Sequence, residues 1–167
     1  PEGMSVCIIY HSETGNTRTV AERLAAAIKG DLVAVRDLAG YSKMGMYLKG
    51  APRAMRGELA AIEPATINVA GYEVVVVGTP VWAGNPTPAV NAAFKALVGI
   101  EGKPAVVFCT SHGMPGKTLE RLQAMLAGRG ADARGVVGFT VRDVRTGEGM
   151  DALVDLVRRS EKERVVQ

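Results

Sequence analysis

Cysteine, tryptophan and histidine are scarce in this chain of 167 residues, which has two, one and two of them. Two cysteines, Cys7 and Cys109, are too few for a disulfide scaffold and have no metal-type spacing. Both lie in apolar, strand-like runs, where cysteine serves as a small buried hydrophobe. No metal site is expected. No apolar run approaches the roughly 18 residues that span a membrane. The N-terminus lacks the basic start and apolar centre of a signal peptide. Met4 reads as the natural start, with residues 1–3 a remnant before it, so a cytoplasmic location is the default expectation. Strong charge of one sign is also missing, the formal net charge being +3. With aromatics at 5% and no dense basic run, the chain has no nucleic-acid signature. The basic excess is partly local, with five Lys/Arg against two Asp/Glu between Arg36 and Glu58. A solvated surface explains it; a docking patch for an acidic partner is the alternative. No repeat and no low-complexity segment is visible.

What is present is a globular composition, 47% apolar and 22% charged, in a length that suits one domain, residues 4–167. Five apolar, β-branched runs stand out: Val6–Tyr10, Leu32–Val35, Val74–Val77, Ala105–Phe108 and Val136–Val141. Continuous rather than alternating runs suit strands buried on both faces of a parallel sheet. Helix stripes lie between most of them. Val20, Leu24 and Ile28 recur at i, i+4, i+8; Val90, Phe94, Leu97 and Val98 at i, i+4, i+7, i+8; Leu119, Leu122 and Leu126 at i, i+3, i+7. Leu153, Leu156 and Val157 close the chain similarly. Strands alternating with helices predict a doubly wound α/β domain. From Gly40 to Pro64 the stripe Met44, Tyr47, Leu48, Ala51, Met55 is interrupted by Gly45, Gly50 and Pro52, so short helical turns are expected. Lys49, Arg53 and Arg56 would face solvent, and Met44, Met46 and Met55 would pack over a sheet edge or form an interaction surface, packing being favoured.

Ligands of open parallel sheets bind beyond the carboxyl ends of the strands. The first loop there is Ser12-Glu13-Thr14-Gly15-Asn16-Thr17. Hydroxyls, an amide and a glycine ahead of a helix make an anion cradle, because first-turn N–H groups and the helix dipole favour negative charge. Glu13 would repel an anion, so its side chain should turn away and leave its N–H. An ordinary turn capped by Asn16 or Thr17 is the plain alternative. The second loop, Thr79-Pro80-Val81-Trp82-Ala83-Gly84 and onward to Pro88, carries the sole tryptophan, placed to stack on a flat ligand or else folded over the following helix. The third runs from Cys109 to Lys117, with Thr110, Ser111, His112 and Gly113 at its start. Two glycine motifs are set aside. Gly116-Lys117-Thr118 ends like a nucleoside-triphosphate loop, but Ser111 stands where its first glycine belongs. Gly147–Ala152 resembles a dinucleotide fingerprint with no strand after it to complete the unit.

These three loops, in this order, resemble the flavodoxin family over Met4 to about Val157. Ser12–Thr17 reads like its phosphate loop, Gly78–Gly84 like its first flavin-flanking loop, and Thr110–Gly116 stands in the place of its second. The resemblance implies a flavodoxin-like three-layer sandwich with a five-stranded parallel sheet of order 2-1-3-4-5. It implies non-covalent FMN, with the phosphate on Ser12–Thr17 and the ring between Thr79–Gly84 and Thr110–Gly113. Gly84 or the Ala83–Gly84 peptide would answer protonation at flavin N5. That strand order puts one strand between Cys7 and Cys109, about 9.6 Å, beyond the reach of a disulfide, so free thiols are expected. His11 would neighbour the phosphate loop, and His112 would touch the flavin or lie near it. Two departures stand out. The third loop has no tyrosine to stack on the ring, and the isoelectric point is near 9.0, where many carrier flavodoxins are acidic. The leading expectation is an FMN electron carrier with no catalytic residue of its own, serving redox partner proteins or small-molecule donors and acceptors. An FMN-dependent NAD(P)H:quinone or flavin oxidoreductase is the alternative, and a non-redox module on the same fold comes third. An oligomer is neither required nor excluded.

Overall fold

The structure, a computed structural model, describes residues 5–39 and 46–165. Five long strands form a parallel sheet: β1 (Val6–His11), β2 (Asp31–Asp37), β5 (Val74–Trp82), β8 (Pro104–Ser111) and β9 (Asp132–Thr140). Their spatial order is β2-β1-β5-β8-β9, which is 2-1-3-4-5 when only these five are counted. Two-residue strands add to it. β3 (Ile62–Glu63) pairs antiparallel with β2, β6 (Asn85–Pro86) pairs antiparallel with β5, and β4 (Ile67–Asn68) with β7 (Leu97–Val98) forms a separate parallel pair. Residues Leu97 and Val98, which continue the helix stripe in the sequence, thus leave the helix to pair with β4.

Period-two side chains divide the sheet between two cores. Cys7, Ile9, Val75, Val77 and Val107 face α3 (Pro88–Ala96) and α4 (Thr118–Gly128), meeting Val90, Phe94, Leu122 and Leu126. Val6, Ile8, Val74, Val76 and Phe108 face α1 (Asn16–Ile28) and α6 (Met150–Val165), meeting Val20, Leu24, Leu153 and Val157. Helices therefore cover both faces, the arrangement that continuous apolar strands need. Cys7 and Cys109 are free and buried, on β1 and β8 with β5 between them. Burial pushes both thiols up to about 12, and nearby Asp31 adds to the effect at Cys7.

Three strand ends beside the site differ from the sequence pattern. β5 runs through Trp82 and β8 through Ser111, because Thr79 and Pro80 continue the ladder with Cys109 and Thr110. β1 stops pairing with β5 at Gly78, so Pro80 meets no partner strand on that side, where the missing N–H is tolerated. β9 ends at Thr140, and Val141 opens the short helix α5 (Val141–Thr146). A capping box ends the strand: Asp143 N–H donates to Thr140 Oγ1 at 3.1 Å, and Thr140 N–H to the Asp143 carboxylate at 2.8 Å. Gly147 closes α5 at positive φ, so the Gly147–Ala152 stretch is a turn over Gly147–Gly149 followed by the first residues of α6.

Between β2 and β3 a π-helical turn, Met46–Gly50, runs into α2 (Ala51–Met55), with Pro52 in the first turn where proline is accommodated. Lys49 and Arg56 are exposed and Arg53 is half-buried. Met55 is 58% exposed, against the expectation that it packs; Ala54 is the buried residue of that turn. Met44 and the side chain of Met46 lie outside what is described. No helix among the described residues is long and apolar enough to cross a membrane. Among the same residues no cluster of His, Cys, Asp and Glu is arranged to hold a metal ion.

Candidate functional site

The carboxyl ends of β1, β5, β8 and β9 converge on one cavity of about 260 Å³. Its lining comes from all three predicted loops: Thr14 and Asn16 from the first, Pro80–Ala83 from the second, Thr110–His112 from the third. Val141 and Ala51 complete it. Sequence reasoning missed these two. Val141 looked like strand, and Ala51 lies in the segment broken by glycine and proline. The Thr140/Asp143 capping box was the available signal for a helix start at Val141.

Gly15, with φ of 99°, turns the chain from β1 into α1. Its N–H donates to Ser12 Oγ at 3.1 Å, and its carbonyl accepts from Thr19 N–H at 2.9 Å as the first helical bond. The amides of Asn16, Thr17 and Arg18 precede that bond and are the first-turn donors left over by helix geometry. Thr17 is buried, its hydroxyl 2.8 Å from that of Thr110, which binds the first loop to the third. Glu13 turns elsewhere. Its carboxylate lies 2.9 Å from His11 Nε2 and lines a different cavity, on the β2 side, with Asp37 and Arg36.

Trp82 is the last residue of β5 rather than a loop residue, and it is only 7% exposed. Its ring packs on Gly50, where an added Cβ would lie 2.7 Å from it, and meets the His11 ring edge-on at 5.8 Å. It does not lie free over the site, yet it still lines the cavity. Ala83 and Gly84, at φ of 50° and 73°, form the two-residue turn between β5 and β6, and a primed hairpin demands positive φ at both. Gly84 is bound to the third loop. Its carbonyl accepts from Lys117 N–H at 2.7 Å, and a Cβ on Gly116 would lie 2.6 Å from Gly84 Cα. Gly84 and Gly113 line a second, neighbouring cavity, with Val81, Ala83, Ser111, His112 and Met114. Gly113 N–H donates to Ser111 Oγ at 3.3 Å, and His112 is exposed. Thr79, buried beneath, bonds within the second loop: its hydroxyl donates to Pro80 O at 2.8 Å and accepts from Thr87 N–H at 3.3 Å.

A family model described as NADPH-dependent FMN reductase matches residues 4–139. The chain belongs to this family. Solved structures carry the same fold. A flavoprotein from Bacteroides eggerthii is 23% identical, with 92% of this chain and 98% of that one covered at a TM-score of 0.71. A flavoprotein from Lactobacillus acidophilus in complex with FMN is 22% identical, covering 86% and 97% at 0.66. Megasphaera elsdenii flavodoxin in its two-electron reduced form is 18% identical, covering 94% and 98% at 0.63. A search of curated proteins finds no match. The chain is thus a flavodoxin-like member of an FMN family, and FMN is the group that membership implies. The residues fit that group: neutral donors at a helix N-terminus suit a phosphate, and the slot between Pro80–Ala83 and Thr110–His112 suits a flat ring.

Proposed function

We propose that the protein is an FMN-dependent oxidoreductase in which NADPH is the electron donor and a quinone or another small molecule the acceptor. Bound FMN supplies hydride acceptance and onward electron transfer. The chain holds and orients it. The first-turn amides of α1, with the hydroxyl of Thr14, would take the phosphate, while Ser12, which lines the β2-side cavity, steadies the loop by accepting from Gly15 N–H. Pro80–Gly84 and Thr110–Gly113 would flank the ring, with Trp82 fixing one wall and Thr79 supporting the second loop from beneath.

The observation that carries this reading is the space beside the main cavity. The neighbouring cavity shares Val81, Ala83, Ser111 and His112 with it, so a second reactant has room next to the ring position. The stretch from Thr110 to Gly116 has no Tyr, Phe or Trp to cover that space, and Met114 there is 85% exposed. Family membership supports the same direction. A pure electron carrier, favoured on sequence alone, needs no such space.

The purified protein tests this directly. It should bind FMN, with Trp82 fluorescence falling on titration, and it should consume NADPH only when a quinone is supplied. FMN binding without NADPH consumption would return the protein to the carrier class. Failure to bind FMN would leave a non-redox module.

A further inference from the structure

The anion loop holds one charged residue, and it has the wrong sign. Ser12–Thr17 has no lysine or arginine, and Glu13 is its only ionisable side chain. Arg18 follows the loop, but Glu22 already pairs with it at 2.6 Å. A carboxylate on a flexible stem beside a bound phosphate would be repelled at short range, so its position decides whether the loop works. It lies against a histidine that is 1% exposed.

We propose that His11 is a positioning residue that anchors Glu13 outside the phosphate cradle and ties the cradle to the flavin-flanking loop. The inference rests on the FMN reading above. Its basis is a chain of contacts through one buried ring. His11 Nε2 is 2.9 Å from Glu13 Oε1, and His11 Nδ1 is 2.8 Å from Thr87 Oγ1. With the proton on Nε2, that N–H donates to the carboxylate and the Thr87 hydroxyl donates to Nδ1, so both ring nitrogens are satisfied. Thr87 caps α3, its oxygen accepting from Val90 N–H at 3.4 Å. The Thr87 N–H donates to Thr79 Oγ1 in β5. The imidazole edge also touches Trp82. His11 therefore reaches the first loop through Glu13 and the second through Thr87 and Trp82. Glu13 is held in the β2-side cavity, while its neighbours Thr14 and Asn16 line the other.

The mechanism predicts a loss that is specific to phosphate and curable at Glu13. His11→Phe keeps a buried ring against Trp82 but offers nothing to Glu13. FMN affinity should fall at least tenfold, while riboflavin, which lacks the phosphate, should change less than threefold. Adding Glu13→Gln to His11→Phe should restore most of the FMN affinity. His11→Gln retains an amide donor and should lose less than His11→Phe; it also carries the test if the phenylalanine variant does not fold. Equal losses for FMN and riboflavin, no loss at all, or no recovery with Glu13→Gln would each overturn the proposal. Wild-type protein that binds neither flavin would overturn the FMN reading itself, and a flat mutant series on FMN-binding wild type would overturn only the role of His11.

Discussion

The loop Ser12–Thr17 divides two cavities of opposite chemistry. On the β5 and β8 side, the space of about 260 Å³ is lined by neutral residues and His112. On the β2 side, a space of about 520 Å³ has Glu13, Asp37, Arg18 and Arg36 in its wall. Both arginines already have carboxylate partners on the surface, Glu22 and Glu63. The difference teaches how a binding site can be kept free of its own charges. Ser12 and Glu13 line one side of this short loop, Thr14 and Asn16 the other, and a buried histidine holds the only carboxylate among them. Neutral donors in a partly desolvated slot then meet an anion without a like charge beside it.

The comparison breaks most severely if the neutral cavity loses its shape. Gly116→Ala would drive a methyl into Gly84 and place alanine at a φ of 57°. The expected cost is roughly 3 kcal/mol from overpacking and left-handed strain together, read as a lower urea midpoint. A second change inverts the chemistry of one side only. Thr14→Asp puts a carboxylate where a hydroxyl would face the phosphate; at roughly 6 Å between charge centres and an effective dielectric near 20, repulsion is about 2.8 kcal/mol, so FMN affinity should drop ~100-fold. Asp37→Asn removes a charge from the other side and should change FMN affinity far less, and equal effects from the two would erase the distinction. The smallest effect at neutral pH concerns Cys7 and Cys109 in the core beneath. A folded-state value of about 12 against an ordinary 9.0 means the neutral thiol is the form that fits. That contribution is fully present below about pH 9 and is lost as pH rises toward 12. Native protein should resist alkylation at pH 8, and Cys7→Ala with Cys109→Ala should flatten the alkaline decline in stability.

Much of this arrangement was readable in the chain. Val6–Tyr10, Val74–Val77 and Ala105–Phe108 are buried on both faces, and such strands advertise themselves by unbroken apolar runs. The stripe Val20, Leu24, Ile28 likewise marks the buried face of α1. The ends of strands were harder. Thr79-Pro80 pairs with Cys109-Thr110 although neither segment is a continuous apolar run, because a ladder already begun continues through backbone bonds. Two-residue strands such as β4 and β7 are too short for any periodicity. The neighbours of Trp82 were out of reach for another reason. Gly50 and His11 are 32 and 71 positions away from it, and only the fold brings them to its ring. Glu13 shows both sides of the matter: repulsion required it to turn away, but nothing in the order of residues named the histidine that receives it.

The turn at Ala83–Gly84 is mechanically uneven. Two successive carbonyls are held by different kinds of partner. Ala83 O accepts from the Asn85 side chain at 2.7 Å, whereas Gly84 O accepts from the backbone of Lys117 at the start of α4. Swinging the first peptide breaks one side-chain bond, about 1 kcal/mol net. Swinging the second would pull on a helix. The hairpin therefore has a compliant joint set directly against a stiff one, and torsion at this rim stays in a single peptide and does not spread into the sheet.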